Sequence, residues 1–318
     1  MPELEDYPHT LLDFEDRFAT EDACEAYVVS LRWPDGFVCP NCRGRKAWRT
    51  TRGRIECQDC HHQVSITAGS IFHKTRKPLR VWFRAMWWLT SQKYGANALG
   101  LQRVLGLGSY QTAWTWLHKL RRAMVRPGRD LLAGVVEVDE TYVGGPESGV
   151  TGRETEKKAI VVLAVEEDGR GIGRIRLCRV PDASAASLVP FVQAVVAAGS
   201  VIHTDGWRGY TDLGAKGFSH QITPIKGSGQ FAHELLPRVH RVVSLLKRWL
   251  DGTHQGGVQP HHLDYYLDEF TFRFNRRTSR HRGKLFYRLM QQATLLGPTT
   301  YAEIVGGRLK CESPELTR

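Results

Sequence analysis

Apolar residues recur along this chain in two rhythms, and the change from one to the other divides it. Over residues 11–29, Leu, Phe, Ala and Tyr alternate with acids at roughly helical spacing, and Thr20-Glu21-Asp22-Ala23 reads as a helix start with Thr20 as N-cap. Trp33-Pro34-Asp35-Gly36 makes a turn, and a Gly- and Arg-rich stretch bounded by cysteines runs to about Ser70. Residues 79–125 are helical in pattern, with Trp82, Phe83, Trp87, Trp88 and Leu89 on one heavy aromatic face. Arg126-Pro127-Gly128-Arg129 breaks the pattern. Beyond it, residues 134–139, 158–165 and 173–180 are strand-like runs of Val, Ile and Ala, with Glu167-Asp168-Gly169 as a hairpin signal between the last two. A helix over 183–196, a short strand over 200–204 and a helix over 237–250 follow, which together predict a mixed α/β domain. There is no internal repeat and no low-complexity tract.

Composition sharpens this picture mainly through charge. The 318 residues carry 44 Lys and Arg against 33 Asp and Glu, a net +11, and the excess is uneven. Residues 1–25 hold nine acids and one base, so residues 26–318 carry 43 bases against 24 acids. A folded body this basic points to a polyanionic partner, with nucleic acid ahead of an anionic membrane surface. No stretch of about 18 apolar residues and no signal-peptide pattern supports a membrane partner, so the chain is expected in a reducing cytoplasm.

Seven cysteines (24, 39, 42, 57, 60, 178 and 311) include four that cluster. Cys39-Pro-Asn-Cys42 and Cys57-Gln-Asp-Cys60 each have the spacing that lets one tight turn present two thiolates to a single ion. Four thiolates select zinc, and a closed site of this kind is structural. His61 and His62 are rival ligands only if a cysteine is displaced. Arg43, Arg45, Lys46, Arg49, Arg52 and Arg54 make the surrounding hairpin basic.

Three further features carry chemistry. Residues 99–124 read as helix, glycine turn and second helix starting near Ser109. A helix-turn-helix of this kind sets Tyr110 and Gln111 toward base edges and the later Arg121 and Arg122 toward phosphates; the alternative is an ordinary helical hairpin with a basic face. Two apolar strands deliver acids: Val135-Val136-Glu137-Val138-Asp139-Glu140 and Val201-Ile202-His203-Thr204-Asp205-Gly206. Buried carboxylates are costly unless paired or bound to a cation, and two aspartates on adjacent strands suit a hard divalent ion. The helix from Pro237 offers His240, Ser244 and Lys247 on one face, and a later helix sets Glu269, Arg273 and Arg276 on one stripe between aromatics.

In combination these motifs resemble prokaryotic insertion-sequence transposases with an N-terminal zinc ribbon and an RNase-H-like catalytic domain of the DDE type, over roughly residues 14–293. The resemblance rests on the paired cysteines, Val138-Asp139-Glu140-Thr141-Tyr142-Val143-Gly144-Gly145, His203-Thr204-Asp205-Gly206-Trp207-Arg208-Gly209-Tyr210, Ser244-Leu245-Leu246-Lys247-Arg248, and Asp268-Glu269-Phe270-Thr271-Phe272-Arg273-Phe274-Asn275-Arg276. It implies a multidomain α/β fold: an acidic helical segment (1–30), a zinc ribbon (31–75), a helix-turn-helix-like segment (76–128), an RNase-H-like mixed-sheet domain (129–295) and a tail (296–318). It further implies a DNA transposase that cuts and joins strands at the inverted ends of its own element, acting as a homo-oligomer on DNA and associated with the nucleoid when bound. Asp139 and Asp205 are matched to the first two metal-binding acids, with two Mg²⁺ or Mn²⁺ ions as catalytic cofactors beside the structural zinc. The family's third acid usually lies seven residues before a lysine; counting back from Lys247 lands on His240, with Glu234 as the fallback. Lys247 would hold a phosphate near the cut, while Glu269, Arg273 and Arg276 would position their helix and the terminal DNA. The alternatives are a zinc-ribbon, helix-turn-helix regulator with a decayed catalytic domain, or a nuclease of the same fold without strand transfer.

Overall fold

The structure, a computed structural model, describes residues 5–126, 128–145, 158–224 and 229–306. Most of the expected tail, Cys311 included, lies outside these residues. Helices are α1 (Leu11–Arg17), α2 (Glu21–Arg32), α3 (Leu79–Ser91), α4 (Ala98–Leu105), α5 (Tyr110–Arg122), α6 (Ala185–Val195), α7 (Ala232–Leu235), α8 (Pro237–His254), α9 (Leu263–Phe274), α10 (Arg282–Leu295) and α11 (Tyr301–Val305). Strands are β1 (Ala47–Arg49), β2 (Ile55–Cys57), β3 (Gln63–Val64), β4 (Val135–Val143), β5 (Ala159–Asp168), β6 (Gly171–Val180), β7 (Val201–Thr204) and β8 (Ser219–Ile222).

Two compact units divide the chain: Met1–Met124 with Ser279–Tyr301, and Val125–Thr278 with Ala302–Arg318. The first departs from the expectation that 129–295 is one domain, because α10 belongs with the N-terminal helices. The reason is aromatic packing. Phe286 of α10 sits within ring contact of Phe14, Phe18, Tyr27, Phe83 and Trp87, and Phe14 stacks on Trp87 at 4.6 Å. The helical run expected over 79–125 is three helices. Asn97 caps α4 by accepting from the Gly100 N–H, Gly106 ends it in the left-handed region (φ 60°), and Ser109 caps α5 by accepting from the Thr112 N–H. Thr20 caps α2 as expected, and Glu21 reaches across to accept from the first two N–H groups of α3, Leu79 and Arg80.

The second unit is built on a five-stranded mixed sheet of order β6-β5-β4-β7-β8. The β4–β5–β6 meander is antiparallel, while β7 and β8 run parallel to β4, the arrangement of an RNase-H-like sheet. Alternation along the strands gives two cores. Val136, Val138, Ile160, Val162 and Ala164 face α6 and the 3-10 stretch Arg208–Lys216. Val161, Leu163, Val165, Ile175 and Leu177 face α8 and α9. Strand β4 is longer than its apolar run, because pairing with β5 continues to Val143, so Asp139 and Glu140 lie inside the strand rather than at its end. Strand β8 has no signature in the sequence; Ser219-His220-Gln221-Ile222 lacks an apolar run, being a mostly exposed edge. At the opposite edge α9 covers β6, and the Asn275 amide both accepts from the Ile175 N–H (2.8 Å) and donates to the Ile175 carbonyl (3.1 Å).

Candidate active site and metal centre

In the ribbon, all four thiols of Cys39, Cys42, Cys57 and Cys60 lie within 4.8 Å of one another. The two turns that present them are built alike: the Arg43 N–H donates to the Cys39 carbonyl and the His61 N–H to the Cys57 carbonyl, each at 3.0 Å. Arg43 and His61 each adopt a positive φ, 66° and 56°, which turns the chain sharply after each pair. The thiols fit a tetrahedral ion. Sγ–Sγ separations of 3.5 Å (Cys42–Cys57) and 3.7 Å (Cys39–Cys60) are near the roughly 3.8 Å that follows from Zn–S bonds of about 2.3 Å. The His62 backbone N–H, the Asn41 amide and the Cys42 thiol hold the Cys60 thiol down to about 6. Cys42, against the pull of the Gly44 N–H, is pushed up to about 12 by the neighbouring thiols, so the thiolate is favoured on Cys60 and the proton on Cys42. His61 stays outside the set, largely exposed, with Nδ1 3.3 Å from Glu56.

The second site lies in the mixed-sheet unit, where Asp139 of β4, Asp205 after β7 and His240 of α8 come together. Glu137 and Asp139 point toward α8, while Val136, Val138 and Glu140 point the other way, as the strand's period of two requires. Asp139 Oδ1 accepts from the Glu140 N–H at 2.9 Å, and Asp205 Oδ1 accepts from the Trp207 N–H at 2.9 Å. The turn after Asp205 needs glycine: Gly206 has φ 83°, and a Cβ there would meet Ile222 Cγ2 at 2.7 Å. Thr204 and His220, bonded at 2.9 Å, and His203 and Thr223, bonded at 2.7 Å, steady the strand end that carries Asp205.

His240 Nε2 is buried without a hydrogen-bond partner and sits 3.7 Å from Asp139 Oδ2, beyond hydrogen-bond reach. Burial pushes its pKa below the ordinary 6.5, with His233 adding to the effect while the Glu137 and Asp205 carboxylates pull the other way. The ring is therefore neutral at pH 7, the form that offers a lone pair to a metal. Tyr210, fully buried, donates to Glu140 Oε2 at 3.0 Å. Burial, with the charges of Glu140, Asp139 and Asp205, holds its phenol well above the usual range, so it stays a donor. Two carboxylates and a neutral imidazole with an orphaned nitrogen are donor types that a divalent cation accepts. The set is more open than the thiol cluster: among the described residues, the four thiols form the ligand group of three or more drawn within 4.8 Å.

The lowered His240 pKa carries a sign. Because the unfolded chain binds the proton more readily, this group's share of stability is present above pH 6.5 and is lost as pH falls through the lower folded-state value. Between pH 7.5 and 5, the metal-free chain should lose more thermal stability than His240→Gln; an equal loss in both would show that the imidazole does not titrate this way.

Other expected residues fall into two groups. Lys247 is exposed two turns along α8 from His240, and Tyr110 and Gln111 are exposed at the start of α5. Glu234 is exposed and its Oε2 accepts from the Phe231 N–H at 3.0 Å, closing the first turn of α7. Arg121 departs from its expected phosphate role: it is 1% exposed and donates to the Ala96 carbonyl at 3.3 Å, because its place on α5 faces the helical core. Arg122 is tied to Thr299. Arg273 pairs with the fully buried Glu269 at 2.9 Å, and the Arg276 guanidinium lies 4.1 Å over the Phe272 ring, so both arginines brace α9. Glu137, Glu140 and Tyr210 do not stand out as site residues in the sequence, although each lies in a motif that carries Asp139 or Asp205.

The two sites match known families in the same order. Residues 19–63 match the transposase zinc-ribbon domain, and residues 131–275 match the ISXO2-like transposase domain. A Halobacterium salinarum protein, "Uncharacterized protein in transposable element ISH50", is 26% identical over 283 residues, covering 80% of this chain and 91% of that one. An "Uncharacterized transposase-like protein" of Haemophilus influenzae is 32% identical over 98 residues, covering 30% of this chain and 76% of that one. The chain belongs to the insertion-sequence transposases with an N-terminal zinc ribbon. The segment matched to the transposase domain contains Asp139, Asp205 and His240, and the matched ribbon contains all four clustered cysteines. Among the described residues, no helix is long and apolar enough to cross a membrane.

Proposed function

We propose that the protein cleaves and joins DNA strands at the inverted-repeat ends of its own insertion sequence by metal-dependent phosphoryl transfer. The observation that carries this reading is the approach of His240 Nε2, buried and unpartnered, to within 3.7 Å of Asp139 Oδ2, with Asp205 charge felt by the same ring. Asp139 and Asp205 would hold two Mg²⁺ or Mn²⁺ ions and His240 would complete one site. Such ions, when bound, lower the pKa of an attacking water or DNA 3′-hydroxyl and stabilise the leaving oxygen. The residues supply the rest. The two carboxylates orient through their backbone N–H bonds, Tyr210 keeps Glu140 turned away from His240, and Lys247 lies on the same helix face to draw in a phosphate. No covalent protein–DNA intermediate is required.

The test is a cleavage and joining assay on DNA carrying the element's ends. Cleavage and strand joining that depend on Mg²⁺ or Mn²⁺ support the proposal. Binding without cleavage under either metal would make the protein a regulator with a decayed catalytic domain, and cleavage without joining would make it a nuclease.

The exposed start of α5 is proposed to read the ends, with the basic ribbon beside the phosphates and two or more copies assembling on the DNA. Binding should weaken with salt, log K falling by roughly 0.9 for each phosphate contact per unit of log salt concentration. Tyr110→Ala and Gln111→Ala should each lower preference for the ends over random DNA about tenfold while leaving the salt slope unchanged. Substitution in the full chain is the informative form of this experiment, since removing the N-terminal segment would strip Phe286 of its aromatic partners. Unchanged preference in both variants would exclude α5 as the reading helix.

A further inference from the structure

We infer that Glu137 is a positioning residue: its buried carboxylate holds the helix that carries His240 in register with the strand that carries Asp139. The inference rests on the reading of Asp139 and His240 as one metal site and adds a residue outside the ligand set.

Helix α8 begins in an unusual way. Its N-cap is Leu236, whose side chain accepts no hydrogen bond, and Pro237 follows in the first turn. The N–H groups of Arg238 and Val239 are therefore left without the usual capping side chain. Glu137 Oε2 accepts both, at 2.9 and 2.8 Å, across 101 and 102 residues of sequence. A strand residue thus does the work of an N-cap. Its charge also faces the positive end of the helix, and Glu137 Oε1 accepts from Arg238 Nη1 at 3.1 Å. At 1% exposure this carboxylate has exchanged water for those three donors.

Arg238 extends the tie. Its Nε donates to the Gly171 carbonyl at 3.0 Å, its Nη2 to the Gly169 carbonyl at 2.9 Å, and its Nη1 lies 2.7 Å from Glu167 Oε1. The β5–β6 turn, the start of α8 and β4 are thereby pinned at one point. Glu137 and Asp139 are neighbours on one face of β4, about 7 Å apart along the strand, and His240 directly follows Val239. Sliding α8 by one residue would rotate His240 by about 100° and shift it by about 1.5 Å, removing it from Asp139. A serine or aspartate at position 236 would satisfy the same N–H groups with no reference to β4. Instead, fully buried Leu236 packs in the core and the cap comes from the strand that bears the metal-binding acid.

The experiment uses the full chain with isotope-labelled histidine and compares Glu137→Gln and Glu137→Asp with Val242→Ala, a core substitution on α8 that perturbs packing without touching the cap. Broadening of the His240 ring signals during Mn²⁺ titration reports metal at the site, and DNA affinity and Mg²⁺-dependent cleavage are measured alongside. Glu137→Gln should raise the Mn²⁺ midpoint at His240 and the Mg²⁺ half-saturation at least tenfold, with the Kd for DNA within about twofold. Glu137→Asp should recover part of the loss, and it carries the comparison if the glutamine variant fails to fold. Val242→Ala should leave both midpoints in place. Unchanged midpoints in the folded Glu137 variants, or an equal rise in Val242→Ala, would overturn the inference. If Mn²⁺ never broadens His240 in the unaltered chain, the metal reading falls instead. The metal-free ring shift then decides the positioning, and it must move in Glu137→Gln and stay in Val242→Ala.

Discussion

Asp139→Asn and Asp205→Asn should each lower DNA cleavage at least about a thousandfold under Mg²⁺ and Mn²⁺ alike, on the order of 4 kcal/mol of transition-state stabilisation. The substitution is well matched to the structure. Asp139 Oδ1 and Asp205 Oδ1 each accept one backbone N–H, and an asparagine carbonyl can accept the same bond, so folding should survive while the charge that holds a divalent ion is gone. His240→Ala should cost several kcal/mol of the same stabilisation and little folding stability, since the buried Nε2 that it removes makes no hydrogen bond. His240→Glu should retain part of the Mg²⁺-dependent rate, because a carboxylate suits that hard ion better than imidazole does. Thermal unfolding and DNA affinity must be measured with the rates. Near-normal cleavage by His240→Ala, together with an inactive Glu234→Gln, would transfer the third position to Glu234. Activity in either asparagine variant would remove the two-aspartate site altogether.

Zinc removal should have the other large effect. Protein purified without added zinc should contain one equivalent per chain, and Cys57→Ser or a strong chelator should release it. The ribbon's strands are two or three residues each, too short to bury a core of their own, so the metal supplies its folding free energy, roughly 10 kcal/mol or more at pH 7. Cys57 is fully buried, and its loss opens the set rather than exposing a spare ligand. Proteolysis should then cut within 39–64 while the mixed sheet keeps its circular dichroism. Full zinc content in Cys57→Ser would show that the four thiols are not the site.

What the chain makes legible by itself is local. Two cysteines three positions apart define a knuckle whatever surrounds them, and the runs of Val, Ile and Ala over 134–139 and 158–165 predict the strands they occupy. Thr20 and Ser109 mark helix starts because a cap needs only the next three residues. Two acids delivered by apolar runs interrupt them, which is why Asp139 and Asp205 stand out from the sequence alone. Tertiary packing decided the rest. Arg121 has the look of a solvent-facing residue in a basic helix, and only the packing of α5 buries it. Phe286 is an ordinary aromatic until α10 returns to Phe14 and Phe83 from more than half the chain away. Glu137 reads as one more acid in a strand, yet it caps a helix 101 residues downstream. Spacing within a turn or along one element is set by backbone geometry that the sequence carries, whereas contacts across a hundred residues depend on which faces find each other to bury. The distance from Asp139 to His240 belongs to the second kind.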